Sequence, residues 1–451
     1  MTDPLSSERI AIIGGGFSGV LLAINLLANA DGPQVLLIDR SGVFGPGVAY
    51  GTDEPDHLLN VRAAAMDVIA DRPQDFLHWL RGPGGMPHAD PSDFVQRRLF
   101  GQYIRDRLAE AIKGPGGERL SLITDDVDAL RPVPGRVTLT LRRGGALAAD
   151  AAVLALGNLA PTAPFPSGHP VLAHERFIAD PWSADPLKMV GTGESVFLIG
   201  TSLTMVDVTL TLRRLGHRGQ LMALSRRGQL PRHHVIGPET PIEPPPAAAT
   251  LSRSLQAFRA VIREGADWRS LLDGHRPQAQ ALWASLPPKQ RASFVRHLRP
   301  FWEVHRHRLA PAVGARIDAL QADETFRYAA GRLVDARGGE GVITADWIPR
   351  GSGTTHRTTA NWLINCAGPE AGLTRSDEPL LRQLLAEGLI RPSALGLGMD
   401  TDAQEHVLAR DGQPHNRIMA VGALTRARFW QLTAAPDIRV QLERLASHLL
   451  R

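Results

Sequence analysis

The stretch Arg9-Ile10-Ala11-Ile12-Ile13-Gly14-Gly15-Gly16-Phe17-Ser18-Gly19 joins a short apolar run to a glycine-rich turn. The run before Gly14 consists mostly of β-forming residues, and a helical pattern follows from Ser18 to Ala30. A further apolar run from Gln34 to Asp39 completes a strand–helix–strand unit. In such a unit Gly14 permits a tight turn, Gly16 lets backbone N–H groups approach a pyrophosphate, and Gly19 allows close helix–strand packing. The stretch therefore predicts a dinucleotide-binding unit.

The ligand of this first unit is predicted to be FAD. The first unit usually holds FAD in proteins that bind two dinucleotides, and the helix start places a partial positive charge beside the phosphates. Asp39 ends the second strand, where a carboxylate can accept hydrogen bonds from ribose hydroxyls. The residues predicted to contact FAD are Gly14, Gly16, Phe17, Ser18, Gly19, Asp39, Arg40, Tyr50, Asn60, Gly157 and Gly422.

The same pattern returns near the middle of the chain. Ser195 to Ile199 reads as a buried strand, a helix opens at Gly200 and runs through Arg214, and Gln220 to Ser225 reads as the next strand. Gly200 precedes Ser225 by 25 residues, the separation that also lies between Gly14 and Asp39. Two such units in the same register predict two nucleotide sites.

The second unit keeps only the first glycine of the fingerprint, so its support comes from the strand, the helix and the repeat spacing. Its strand ends without an acid, and an arginine there attracts a 2′-phosphate that a carboxylate would repel. The sequence therefore favours NADPH over NADH, and a solvated turn is the alternative for the arginine pair. The residues predicted to contact NADPH are Gly200, Thr201, Ser202, Thr204, Ser225, Arg226 and Arg227.

Composition excludes several other classes of protein. The chain has 451 residues and a net charge of only +4, without a clear basic stripe of the kind that nucleic-acid binders carry. The apolar run from Ile10 to Ala28 contains glycines and Asn25, so a strand–turn–helix explains it better than a signal or membrane segment. We therefore expect a cytoplasmic protein that binds neither nucleic acid nor membrane.

Cys366 is the only cysteine, which fits a reducing compartment and removes the paired cysteines of the disulfide reductases. No histidine or carboxylate spacing gives a convincing metal site, so no metal is expected. The remaining electron acceptors are oxygen, a quinone, a protein or an organic substrate.

We expect an α/β fold with two Rossmann-like dinucleotide-binding domains, a three-layer ββα FAD domain and an NAD(P) domain that carries a helical insertion. The expected FAD domain comprises 1–185 and 370–451, the NAD(P)H domain comprises 186–369, and the insertion covers about 241–320. A small antiparallel meander is expected within 120–158, followed by a return to a buried strand. Other expected elements are a strand ending at Asn365, a strand over 418–421 and a helix from Ala435.

Several segments resemble a widespread bacterial family of FAD/NAD(P)-binding oxidoreductases. They are Val43 to Thr52, His57 to Val61, Phe76 to Trp79, Arg97 to Gly101, Gly200 to Asp207, His305 to Pro311, Ile364 to Pro369 and Thr433 to Arg439. The resemblance spans essentially the whole chain, and the family is similar in layout to the flavin N-hydroxylating monooxygenases. One departure is Val421-Gly422-Ala423, which stands where the wider superfamily has a Gly-Asp pair whose acid meets the ribityl chain.

The resemblance implies an NADPH-using flavin monooxygenase that hydroxylates a small molecule, with an amino group as one candidate target, using molecular oxygen through a C4a-hydroperoxyflavin. An NAD(P)H oxidase or electron-transfer reductase is the alternative, and a non-catalytic flavin sensor is an alternative of another class. A homo-oligomer is a further possible assembly. His57, Asn60 and Trp430 are the candidates for the flavin pocket, although Asn60 could equally satisfy backbone groups and Trp430 could be a core aromatic.

Overall fold

The computed structural model describes residues 8–451 apart from 70, 184, 238 and 249. The strands are β1 (Arg9–Ile13), β2 (Gln34–Asp39), β3 (Leu120–Thr124), β4 (Val127–Val133), β5 (Arg136–Leu141), β6 (Ala146–Ala149), β7 (Ala151–Leu154), β8 (Phe177–Ile178), β9 (Val196–Ile199), β10 (Leu221–Ser225), β11 (Phe326–Gly339), β12 (Val342–Pro349), β13 (His356–Ala360), β14 (Trp362–Asn365), β15 (His406–Leu408) and β16 (Pro414–Ala420). The helices are α1 (Phe17–Leu27), α2 (Gly47–Tyr50), α3 (Asp75–Arg81), α4 (Arg97–Lys113), α5 (Leu203–Arg214), α6 (Leu251–Arg263), α7 (Trp268–His275), α8 (Ala279–Ser285), α9 (Pro288–His297), α10 (Arg299–Arg306), α11 (Pro311–Ala322), α12 (Pro379–Ala386) and α13 (Ala435–Leu449).

The first domain is built on a sheet with strand order β15-β16-β7-β1-β2-β3. All of its pairings are parallel except that of the edge strand β15. Successive side chains of a strand point to opposite faces, so β1 contributes to two cores. Ile10 and Ile12 pack with helices α1, α4 and α13, whereas Ala11 and Ile13 pack with the antiparallel meander β4-β5-β6. This is the expected three-layer arrangement.

The meander is smaller than the sequence indicated. Leu120–Thr124 was included in the expected antiparallel stretch, but it pairs in parallel with β2. Helix α4 precedes it, and a helix crossover is the connection that makes a following strand parallel. The segment therefore extends the nucleotide-binding sheet.

The second domain is built on a sheet with strand order β13-β12-β11-β10-β9-β14-β8. The pairings β8–β14, β14–β9, β9–β10 and β10–β11 are parallel, whereas β12 and β13 extend the sheet as an antiparallel hairpin. Phe177–Ile178 already belongs to this sheet. The chain therefore enters the second domain before 186, where the sequence placed the boundary.

Helices α6 to α10 form the insertion, which follows β10. Val313 and Ile317 of α11 pack in the core of the second sheet, beside Leu221 and Phe326. Helix α11 is thus the crossover helix that leads into the parallel strand β11, and the helices of the insertion end with α10 rather than near 320. In the described part of the chain, no helix has both the length and the apolar character needed to cross a membrane.

Candidate functional site

The turn after β1 contains glycines that no other residue could replace without displacing the surrounding backbone. Gly14 has φ +110°, and its N–H donates to the carbonyl of Ile38 over 2.8 Å. A Cβ placed on Gly14 would lie 2.4 Å from the carbonyl oxygen of Ala155, and one on Gly19 would lie 1.9 Å from the carbonyl oxygen of Gly14. Both predicted glycine roles, the tight turn and the close helix–strand packing, therefore match the geometry.

Asp39 holds this turn from the end of β2. Its Oδ2 accepts a hydrogen bond from the N–H of Gly15 over 2.7 Å, and its Oδ1 accepts from the N–H and hydroxyl of Ser41. A carboxylate has about four acceptor positions, so Asp39 keeps capacity for ribose hydroxyls. Gly47 lies against Gly16, 3.4 Å from where a Cβ would stand. Because Gly16 and Gly47 both lack a side chain, this side of the start of α1 consists of backbone atoms.

The turn after β9 repeats this geometry. Gly200 has φ +115°, and its N–H donates to the carbonyl of Leu224 over 2.7 Å. A Cβ on Gly200 would lie 2.3 Å from the carbonyl oxygen of Cys366. The residue after β14 thus packs against the second turn, as the residue after β7 packs against the first. Helix α5 begins three residues after Gly200, as α1 begins three residues after Gly14.

The two turns differ in what ties them to the neighbouring strand. Thr201 occupies the position of Gly15, and its Oγ1 lies 2.8 Å from Oγ of Ser225, which occupies the position of Asp39. A pair of hydroxyls therefore replaces the carboxylate–amide bond, and the second site loses the negative charge of the first. Thr201 and Ser225 are engaged within the turn, whereas Ser202 and Thr204 make no side-chain hydrogen bond among the described residues.

The other residues predicted to bind FAD surround the first turn. Phe17 and Ser18 begin α1, and a Cβ on Gly422 would stand 3.0 Å from Oγ of Ser18. The N–H of Gly422 donates to Oε1 of Gln441 over 2.9 Å. Gly157, with φ +65°, has open space where a Cβ would stand.

Two of the predicted residues have other partners. Tyr50 packs its ring on Phe17 and Phe100, at centroid distances of 5.9 and 4.7 Å, and burial raises its pKa to about 12. Arg40 forms ion pairs with Glu378 and Asp126. These contacts give both side chains a packing or pairing role within the protein.

His57 connects the two domains rather than facing an open site. Its Nδ1 lies 2.9 Å from Oγ1 of Thr52, and its Nε2 lies 3.0 Å from Oγ1 of Thr211 in α5. Burial lowers the pKa of His57, with Asp207 and Arg97 acting in opposite directions. Asn60 is half-buried and binds across the same junction through its carbonyl, which accepts from Nε2 of His234 over 3.2 Å.

Next to His57, an ion pair joins the domains. Arg97 of α4 donates to both carboxylate oxygens of Asp207 in α5, at 2.8 and 3.1 Å, and its Nε donates to the carbonyl of Leu58. Bidentate pairing fixes orientation as well as distance. The segment after the first turn is thereby held against the helix that begins at the second turn.

Trp430 lies in a cluster between the insertion and the C-terminal segment. It stacks on Trp283 at 4.6 Å, and Trp283 donates from Nε1 to the carbonyl of Ala427. Trp430 is only 6% exposed, so packing is its main role. A narrow cleft beside it is also lined by Arg426 and Gln431.

The arginine pair after β10 separates in space. Arg226 lines an open groove of about 330 Å³, whereas Arg227 stacks over the ring of Phe301 in the insertion at 5.2 Å. Arg332 and Arg350 line the same groove as Arg226. Sequence reasoning missed these two residues because they lie more than a hundred positions further along the chain, on a hairpin whose pairing the sequence did not give.

The residues around the first turn fit FAD. Gly14 and Gly16 bring backbone close to the start of α1, Gly157 has open space where a Cβ would stand, and Asp39 stands where the adenosine ribose would lie. Together the two turns define an α/β protein with two Rossmann-like units.

The comparisons agree with this class. Residues 11–159 match the protein-family model described as FAD-NAD(P)-binding. The matched segment contains the first turn and the strands around it. The match confirms the resemblance and the expected cofactor class in this segment. Among curated protein sequences, none matches the chain.

Solved structures with the same fold include an ornithine N-hydroxylase and two monooxygenases named for cadaverine and lysine. The ornithine N-hydroxylase of Kutzneria sp. 744, solved with reduced FAD, NADP⁺ and L-ornithine, is 14% identical with a TM-score of 0.68 over 99% of both chains. The FAD-bound cadaverine monooxygenase of Erwinia amylovora is 14% identical with a TM-score of 0.66, over 99% of this chain and 94% of that one. The L-lysine 6-monooxygenase of Pseudomonas syringae is 14% identical with a TM-score of 0.65, over 98% and 99%. These likenesses confirm the fold class.

Proposed function

We propose that the chain is an FAD-dependent, NADPH-using monooxygenase that hydroxylates a small amine. The observation that carries the proposal is the repeated turn geometry. Gly14 and Gly200 have nearly the same φ, donate to the carbonyl of the next strand, and lie under a carbonyl of the returning chain. Two sites of this form in one chain suit a protein that moves a hydride from one dinucleotide to another.

Each site has residues suited to one cofactor. FAD would be held by the turn from Gly14 to Gly19 and by Asp39, and NADPH would be held by the turn at Gly200 and by Arg226. When bound, NADPH supplies the hydride and FAD accepts it and activates oxygen. The lone Cys366 is buried, and burial raises the pKa of its thiol, so dithiol exchange of the disulfide-reductase kind has no support.

The protein itself would position the cofactors and exclude water. The Arg97–Asp207 ion pair and the contacts of His57 hold the segment after the FAD turn against α5. A fixed junction between the sites suits hydride transfer, which requires the reacting atoms to be held in van der Waals contact. The amine class follows the neighbouring structures, whose names give ornithine, lysine and cadaverine as substrates.

The first test is anaerobic mixing of FAD-loaded protein with NADPH and, separately, NADH, followed by absorbance of the flavin. We expect bleaching by NADPH at far lower concentration than by NADH. Failure of both nucleotides to bleach the flavin would refute the proposed electron donor.

The second test adds air together with ornithine, lysine or cadaverine and measures NADPH consumption, hydroxylamine product and hydrogen peroxide. Product in proportion to NADPH consumed supports a monooxygenase of that amine. Peroxide in proportion to NADPH with all three amines contradicts the proposed amines and favours an NAD(P)H oxidase. Bleaching that persists in air points to a reductase that needs a partner acceptor.

A further inference from the structure

Two arginines of the β11–β12 hairpin lie on one face of the second sheet. Arg332 pairs with Ile348, and the N–H of Arg350 donates to the carbonyl of Ala330 over 2.8 Å, just past the Gly331–Pro349 pair. Residues two apart on a strand share a face, and so do residues opposite each other in a pair. Arg332 and Arg350 are therefore diagonal neighbours on the face that also presents Ala330.

Among the described residues, neither guanidinium has an anionic partner. Within residues 8–451, leaving aside the four undescribed positions, the side chains of Arg226, Arg332 and Arg350 make no hydrogen bond or ion pair with the protein. Other arginines of the same sheet are paired, since Arg337 of β11 and Arg357 of β13 both contact Asp346. Like charges at neighbouring positions of a sheet repel, so this face carries positive charge that the described protein does not neutralise.

The cluster lies where the second site would hold the adenosine ribose. Ser225 at the end of β10 is paired with Ala330, so Arg332 and Arg350 project just beyond the end of that strand. A Cβ on Gly228 would stand 2.9 Å from Cβ of Ala330, which places the turn carrying Arg226 on the same face. In this fold class the group on the ribose is recognised at the end of the second strand.

The groove suits the adenosine end of a dinucleotide. Its volume of about 330 Å³ lies within the range of small-molecule sites. Ile348 and Pro349 give it an apolar wall, and Ser352 and Gly353 lie at its margin beside the arginines. A base can pack on such a wall while a phosphate on the ribose meets the cations.

We propose that Arg332 and Arg350, together with Arg226, form a clamp for the 2′-phosphate of NADPH, so that the β11–β12 hairpin sets the preference over NADH. The identity of the cofactor rests on the proposed function. A phosphate monoester carries a charge of about −1.5 to −2 near neutral pH and offers three acceptor oxygens, and arginine binds phosphate oxygens bidentately. NADH leaves the three cations without a partner.

The test measures binding to the FAD-loaded protein by calorimetry, with NADP⁺ and NAD⁺ and with the fragments 2′,5′-ADP and 5′-ADP. The variants are Arg332→Ala and Arg350→Ala. The matched control is Arg327→Ala, an exposed arginine of the same strand that pairs with Glu324 and does not line the groove. Thermal midpoints of all variants establish that each is folded.

We expect each groove variant to bind NADP⁺ and 2′,5′-ADP about 5- to 50-fold more weakly, the range for a charge-assisted hydrogen bond at a solvent-facing site. The affinities of the groove variants for NAD⁺ and 5′-ADP should change by less than about two-fold, because these ligands carry no 2′-phosphate. The affinities of Arg327→Ala for all four ligands should also change by less than about two-fold, because surface substitutions away from a site have small effects. Unchanged NADP⁺ binding in both groove variants, or equal weakening of NADP⁺ and NAD⁺, would overturn the clamp while leaving the proposed function intact. No binding of either dinucleotide to the wild-type protein would instead overturn the proposed function.

Discussion

Replacing Gly14 by alanine tests whether the first turn holds FAD, and replacing Gly200 tests the second turn in the same way. An alanine at φ +110° costs about 1–3 kcal/mol in backbone strain. Its Cβ would also stand 2.4 Å from the carbonyl oxygen of Ala155, about 1 Å inside ordinary contact, and relieving such overpacking costs about 1–3 kcal/mol more. Gly14→Ala should therefore destabilise the protein by roughly 2–6 kcal/mol.

The effect on FAD follows from the displacement of the turn. A shift of about 1 Å removes at least one N–H donor from the phosphates, and a hydrogen bond to a charged group contributes about 1.5–3 kcal/mol. We expect Gly14→Ala to bind FAD about 10- to 100-fold more weakly. Gly200→Ala has nearly the same local geometry but lies in the other domain, so it should keep FAD and need about 10- to 100-fold more NADPH for half-maximal bleaching.

The assay combines flavin content after purification, FAD titration of the stripped protein and the NADPH dependence of anaerobic bleaching. Gly135→Ala, in the turn between β4 and β5, is the control, because its φ of +77° imposes backbone strain whereas no heavy atom of the described residues lies within 4 Å of the added Cβ. Circular dichroism and thermal midpoints separate loss of ligand from loss of fold. Unchanged FAD affinity in Gly14→Ala, or loss of FAD in Gly200→Ala with NADPH binding retained, would refute the assignment of the two turns.

Three further predictions concern the residues that hold the domains and the insertion in place. Arg97→Ala should lower the free energy of unfolding by about 3–5 kcal/mol, because it leaves the buried Asp207 unpaired; denaturant titration should show the Arg97→Ala/Asp207→Ala double variant to be less destabilised than the sum of the singles, and strict additivity would contradict the pairing. Burial by itself would raise the pKa of Glu239, but its hydrogen bond with His234 and the charge of Arg308 lower it to about 2. Because this pKa is lower than in the unfolded chain, the charged carboxylate contributes up to about 3 kcal/mol above pH 4.5, which is lost as pH falls toward 2; Glu239→Gln should be less stable than wild type at pH 7 and should lose less on acidification, and parallel pH profiles of the denaturation midpoint would count against it. Trp430→Ala should cost about 3–5 kcal/mol by removing a buried indole, whereas Trp430→Phe should keep the flavin spectrum and NADPH bleaching within about two-fold; a large shift of the flavin spectrum in Trp430→Phe would indicate direct contact with FAD instead.

Local pattern predicted the strands and helices of the two nucleotide units because each unit is defined by short-range features. Strands β1 and β2 have the predicted bounds, and α5 ends at Arg214 as predicted. Only glycine tolerates the geometry of the turns, so Gly14 and Gly200 were recognisable from sequence. Segment pairing was less predictable, and β3 was placed in the meander because its alternation does not reveal its partner.

The candidate site was predicted in part. Gly14, Gly19 and Asp39 could be identified because their spacing within one strand–helix–strand unit fixes their positions relative to each other. Sequence also indicated a role in the flavin pocket for His57 and Trp430. It could not show that His57 contacts Thr211 of α5 or that Trp430 stacks on Trp283. Such contacts depend on how domains and insertions pack, which local spacing does not encode.

The sequence by itself determined that this protein has two Rossmann-like strand–turn–helix units and no cysteine pair, because glycine turns and residue counts are properties of the linear chain. Only the tertiary structure decided which cations meet at the second site. Arg226 and Arg227 are adjacent in sequence but lie in the groove and on Phe301 respectively, whereas Arg332 and Arg350 reach the groove through antiparallel pairing. A phosphate responds to charges close in space, and sheet register rather than sequence neighbourhood determines that closeness.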